Sequence, residues 1–169
     1  YDGSVGHFDS YTVELIIILF MFIGGINFTL LWFIREGQFK KASQDEEFKN
    51  YLVYIFTTFL FITIALLLTR DYTTTDSFID SLFQVVSIGT STGYTSTDYM
   101  QWPVFTHLLL FVLMIVGACA GSTSGGLKLM RINLAFKVAM RELIRIAQPR
   151  KVQTVRLNNQ VVGDQQLGL

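Results

Sequence analysis

The chain has 169 residues, 51% hydrophobic and 15% charged, with a mean hydropathy of +0.44 and 15 phenylalanines. So much apolar and aromatic material, gathered in long blocks, excludes an ordinary soluble domain and points to an integral membrane protein. The formal net charge is zero and no nucleic-acid partner is expected; the single cysteine, Cys119, excludes a disulfide framework and leaves the compartment unread.

Residues 1–10 are polar and read as external. The abrupt start at Tyr1-Asp2-Gly3 and the unpunctuated end at Gln165-Gln166-Leu167-Gly168-Leu169 suggest a piece of something longer. Residues 11–34 form a first apolar helix that carries only Glu14 as a charge, with Gly24-Gly25 as a packing or kink site. A polar link, 35–50, contains Asp45-Glu46-Glu47, and a second helix, 51–69, holds no charge at all. Each helix is long enough to cross about 30 Å of hydrocarbon at about 1.5 Å per residue. Arg70-Asp71-Tyr72-Thr73-Thr74-Thr75 is an external turn.

The next block is too short to cross. Residues 76–88 place Phe78, Ile79, Leu82, Phe83, Val85 and Val86 at helical spacing, with Asp76 as the expected N-cap. Such a helix is about 18 Å long, roughly half a bilayer. It runs into Ser87-Ile88-Gly89-Thr90-Ser91-Thr92-Gly93-Tyr94-Thr95-Ser96, where small residues let the backbone extend. Non-helical backbone at membrane depth is tolerated where it is buried or lines a watery cavity. A half-helix followed by polar backbone reads as a re-entrant pore loop whose carbonyl oxygens replace the water shell of an ion such as potassium. A short helix lying on the membrane surface is the alternative.

The third span, 103–136, is also irregular. Apolar residues 105–116 give way to Gly117-Ala118-Cys119-Ala120-Gly121-Ser122-Thr123-Ser124-Gly125-Gly126-Leu127-Lys128. Gly117 and Gly121 fit a small-residue packing face, but Ser122, Thr123, Ser124, Gly125 and Gly126 fit an unwound stretch facing an ion path. Beyond Arg131 the chain alternates Leu134, Val138, Leu143 and Ile144 with Lys137, Arg141 and Arg145, an amphipathic pattern suited to the membrane interface, and Pro149 stops it. Residues 152–162 suggest a hairpin around Asn158-Asn159.

All basic residues except Arg70 fall in two clusters, 35–49 and 128–156. Two crossings separate the clusters, so both face one side, which the positive-inside rule makes cytoplasmic. Asp2, Asp9, Glu14, Asp71, Asp76, Asp80 and Asp98 remain on the other side. They either concentrate cations at a pore mouth or are what is left once the basic residues are sorted inward. An enzyme is not expected. Lys128 does not directly follow a glycine and no Ser or Thr follows it, as a phosphate-binding loop requires, and His7 and His107 are isolated.

Two motifs resemble the Trk/Ktr/HKT superfamily of potassium transport proteins, most closely its bacterial Trk membrane subunits. Thr90-Ser91-Thr92-Gly93-Tyr94 is similar to the family's Thr-Thr-Gly-Phe type of filter, and residues 117–128 to its Gly-Gly-Cys-Ala-Gly-Ser-Thr-Ala-Gly-Gly-Ile-Lys loop. Phe22-Ile23-Gly24-Gly25-Ile26-Asn27-Phe28 also resembles the preceding inner helix. The chain departs at Ser91 for Thr, Tyr94 for Phe, Ala118 for Gly, Ser124 for Ala and Leu127 for Ile.

The resemblance implies an all-α membrane protein built of helix–pore loop–helix repeats with a broken inner helix. Residues 1–50 would hold the inner helix of the second repeat and its link, 51–136 the third repeat, and 137–169 the segment leading to a fourth. Ser91, Thr92, Gly93 and Tyr94 would bind potassium through backbone carbonyls. Gly117, Gly121, Ser122, Thr123, Ser124, Gly125, Gly126 and Lys128 would form an intramembrane gate. Implied partners are the other pore repeats, a second copy in a homodimer, a cytoplasmic nucleotide-binding regulatory subunit and membrane lipid. The implied setting is the cell inner membrane, crossed several times. Rival readings are one subunit of a self-contained tetrameric cation channel and a non-conducting structural subunit.

Overall fold

The computed structural model describes residues 4–8, 10–69, 73–147, 156–157 and 160–161. Among the described residues seven α-helices follow in chain order: α1 (Tyr11–Gly24), α2 (Phe28–Arg35), α3 (Phe39–Gln44), α4 (Glu46–Leu68), α5 (Thr74–Gly89), α6 (Val104–Val116) and α7 (Leu129–Ala147). The fold is all-helical apart from Arg156–Leu157, which pairs antiparallel with Gln160–Val161. That pairing matches the expected hairpin. Its turn residues, like Pro149 and the external turn at 70–72, lie outside the described residues.

The first apolar block is not one helix. It breaks after Gly24, and α2 leaves α1 at 103°. Glycine weakens a helix interior, and Asn27 starts a new one by accepting the Thr29 N–H at 2.8 Å. The break is also held by close packing. A Cβ on Gly25 would strike the Tyr51 hydroxyl and lie 2.8 Å from Thr90 Cγ2. Gly25→Ala is therefore expected to cost about 1–3 kcal/mol by overpacking. A thermal midpoint in detergent equal to that of the unmodified protein would show that Tyr51 gives way instead.

The second helix starts at Glu46 rather than 51, because the Asp45 carboxylate accepts the Phe48 N–H at 2.8 Å and caps it there. The expected link at 35–50 accordingly contains α3 and the first turn of α4. With 23 residues α4 is long and apolar enough to cross a membrane, as is the bent α1–α2 pair if counted as one span. The cap of α5 is Thr73, not Asp76. The Thr73 hydroxyl oxygen accepts the Asp76 N–H at 3.2 Å, and Asp76 takes hydrogen bonds from the hydroxyls of Thr73 and Tyr11. Three threonines precede Asp76, and a hydroxyl placed three residues ahead of an acid captures the cap.

Helix α5 has 16 residues, about 24 Å, and packs against α1, α4 and α6. Its Ser77, Ser81, Gln84 and Ser87 are fully buried, whereas Phe56 and Phe61 of α4 and Phe111 of α6 are exposed. Polar groups inside and large apolar groups outside reverse the soluble pattern and fit a helix cluster solvated by lipid. The Thr63 and Ser81 hydroxyls meet at 2.7 Å and tie α4 to α5. Among the apolar side chains, Tyr51, Ile62, Leu66, Phe83, Val85 and Leu113 fill the centre.

Candidate functional site

The polar loop begins where α5 stops. Thr90 is the C-cap, Ser91 turns left-handed at φ 59°, and Gly93 does so at φ 78°. In an extended chain, successive carbonyls point to opposite sides. Left-handed residues at alternate positions cancel that alternation, and glycine adopts the conformation most readily. The loop's amides fold back onto the helix. The Ser91 N–H donates to the Ile88 carbonyl at 3.0 Å, and those of Thr92 and Gly93 donate to Ser87 at 2.9 and 3.3 Å.

With the amides taken up, the carbonyls are left over. Among the described residues, no donor reaches the carbonyl oxygens of Ser91, Thr92 or Gly93. Tyr94 differs, because its carbonyl accepts the Ser87 hydroxyl at 2.7 Å. The four expected ion-binding carbonyls thus divide into three open ones and one held by the half-helix. The Thr90 hydroxyl braces the turn from behind, 2.8 Å from that of Thr92. The C-terminal end of α5 directs its partial negative charge at the same place. At the outer end, Val5 N–H donates to the Thr95 carbonyl at 3.1 Å, and the Ser96 hydroxyl donates to Asp80 at 3.2 Å.

The second loop starts at Gly117, whose φ 71° and ψ −161° only glycine adopts readily. A Cβ there would also strike the Gly125 carbonyl. Gly121 and Gly126 are left-handed as well, at φ 69° and 82°. The loop closes on itself: Leu127 N–H donates to the Ile115 carbonyl at 3.0 Å, and Leu129 N–H to Ala118 at 3.1 Å. The Ser122 hydroxyl donates to Cys119, and the Lys128 ammonium to the Ser124 carbonyl.

Two outside elements hold this loop. The first is the α1–α2 break. Gly24 accepts both the N–H and the hydroxyl of Thr123, at 3.2 and 3.0 Å, and Gly25 accepts the Cys119 N–H at 3.2 Å. The Phe28 N–H in turn donates to Gly121 at 3.1 Å. The helix break therefore exposes the carbonyls that the loop needs. The second is Glu47, buried in the first turn of α4. One carboxylate oxygen accepts the Ala120 N–H at 2.6 Å and the Met130 N–H at 3.2 Å, spanning the loop and the start of α7. Beside it, Glu46 pairs with Lys137 of α7 at 2.5 Å.

The structure thus brings residues 90–94 and 117–128 together at one end of α5. Sequence reasoning missed Glu47 as a support of the loop and Asn27 as the cap of α2. Glu47 sits in an acidic run where nothing local separates a buried carboxylate from its exposed neighbours.

Residues 1–168 match the family model described as Cation transport protein, TrkH. The Trk system potassium uptake protein TrkH of Vibrio parahaemolyticus is 40% identical over 161 residues, covering 93% of this chain and 33% of that protein. TrkG of Escherichia coli is 31% identical over 163 residues, with 95% and 33% covered. The crystal structure of the potassium transporter TrkH from Vibrio parahaemolyticus superposes with a TM-score of 0.90 at 37% identity, covering 99% of this chain and 36% of that one. The chain spans about a third of the length of the relatives it matches. A half-helix ending in open carbonyls, a broken third helix and these likenesses agree: the chain belongs to the TrkH family of cation transport proteins.

Proposed function

We propose that this chain forms one wall of a potassium pore, in a protein that takes up potassium across the cell inner membrane. The observation that carries this reading is the row of open carbonyls at Ser91, Thr92 and Gly93, at the end of a helix too short to cross. Potassium loses water against such carbonyls, and rings of them need walls from further repeats. Tyr94 then shapes the filter through its bond to Ser87 and contributes at the rim.

Residues 117–128 act as the gate under this filter. Glycines supply backbone freedom, and Ser122, Thr123 and Ser124 supply partners for unwound backbone. In this reading residues 1–50 close the preceding repeat, 51–136 make one complete repeat, and 137–169 lead to the next. The basic α7 faces the cytoplasm, within reach of anionic lipid and of a nucleotide-binding regulatory subunit, and the complete protein is a homodimer.

The test is potassium uptake by the complete protein in cells stripped of their own uptake systems. Rescue of growth at low potassium is expected. Deleting residues 122–125 should raise basal flux several-fold, because the deletion removes the barrier. Membrane expression without rescue would reject potassium as the ion, and a deletion with unaltered flux would reject the gate.

A further inference from the structure

Filter and gate are bonded to each other. The Ser91 and Ser124 hydroxyls are 3.2 Å apart, and the Gly125 N–H donates to the Ser91 hydroxyl oxygen, also at 3.2 Å. The Ser124 hydroxyl is buried and accepts the Ala118 N–H at 3.1 Å. It lies 3.1 Å from the Gly125 carbonyl and 3.5 Å from that of Gly89, the last residue of α5.

Either hydroxyl can donate, and one direction gives every proton a partner within the protein. A serine hydroxyl has one proton and two acceptor sites. If Ser124 donated to Ser91, the Ser91 oxygen would accept twice, and its own proton would have no acceptor among the described residues. If Ser91 donates to Ser124, every proton has a partner. Gly125 N–H donates to Ser91, Ser91 donates to Ser124, and Ser124 donates to a carbonyl of Gly125 or Gly89. Such a chain of hydrogen bonds strengthens its members. It also anchors Ser91, a non-glycine residue held left-handed at φ 59°.

We propose that the Ser91–Ser124 bond couples the gate to the filter, so that the loop leaves the pore axis only by releasing Ser91 from its filter conformation. By linkage, anything that fixes the filter, including ion occupancy, also holds the gate shut. The inference rests on the filter and gate assignments proposed above.

The test is rubidium and sodium flux through the complete transporter in liposomes, for the parent, Ser124→Ala, Ser91→Ala and the double variant. Each single change is expected to raise basal flux at least about fivefold, because each removes the shared Ser91–Ser124 bond, worth about 1 kcal/mol, along with the other bonds of its own hydroxyl, and to lower the rubidium-to-sodium ratio. The double variant should fall short of the product of the two single effects, because the shared bond is lost only once. A gate-loop substitution that alters ion preference is the signature, because a loop acting as a plain plug would change flux alone. Additive effects, or raised flux at an unchanged ion ratio with Ser124→Ala, would overturn the coupling and leave the gate standing. Unchanged flux in these variants and in the 122–125 deletion would instead overturn the gate itself. Should Ser124→Ala fail to fold, Ser91→Ala tests the same bond from the exposed side.

Discussion

Replacing Glu47 with alanine is expected to raise the resting cation flux of the complete transporter by about tenfold to a hundredfold. Its carboxylate oxygen holds two backbone amides, Ala120 at 2.6 Å and Met130 at 3.2 Å, one in the 117–128 loop and one just beyond it. Hydrogen bonds to a charged group are worth about 1.5–3 kcal/mol, and a buried amide left without its partner costs about 1–3 kcal/mol. Both losses fall on the arrangement seen here, which the proposed gate reading takes as shut, so the shut state is what weakens. Glu47→Gln keeps an acceptor oxygen but not its charge and should give a smaller rise. Rubidium uptake into proteoliposomes reads the effect. Equal flux from all three proteins would mean that the loop holds its place without α4, and a fall with Glu47→Ala would mean that the clamp supports the open path.

Gly93→Ala is expected to lower the potassium-to-sodium flux ratio about tenfold while leaving the fold intact. Gly93 sits at φ 78°, and a Cβ added there would meet nothing within 4 Å. The substitution therefore acts on backbone conformation alone, where an L-residue turned left-handed costs about 1–2 kcal/mol. That is enough to let the loop abandon the geometry in which the carbonyls of Ser91, Thr92 and Gly93 stay open. Gly117 provides a contrast, because its Cβ would strike the Gly125 carbonyl and disrupt the loop itself. Paired flux measurements on Gly93→Ala, with a thermal midpoint matching the parent, separate the filter effect from misfolding. An unchanged ion ratio would remove residue 93 from the filter.

Both substitutions act on loops, yet only one was legible without the fold. Gly93 stands out because a glycine among hydroxyls after a half-length helix has a local meaning. Glu47 does not, because its role depends on Ala120, 73 residues away. The first apolar block shows the same limit. Gly24-Gly25 marked a place where bending was permitted, but the 103° break is fixed by Tyr51, Thr90 and the loop amides that occupy the freed carbonyls. The cap of α5 erred in a smaller way. Thr73 and Asp76 both suit a helix start, and hydroxyl geometry chose between them.

The sequence by itself determined the membrane character, a short helix before the polar loop, which the structure extends from 76–88 to Thr74–Gly89, and the interruption of the third span at 117–128. These depend on the length and polarity of continuous segments measured against a bilayer, and that comparison is local. The tertiary structure alone decided which carbonyls stay open, how α1 breaks, what clamps the 117–128 loop and that Ser91 meets Ser124, 33 residues apart. Each of those is a hydrogen bond or a close approach between segments far apart in the chain, and its partner exists only once the helices have packed.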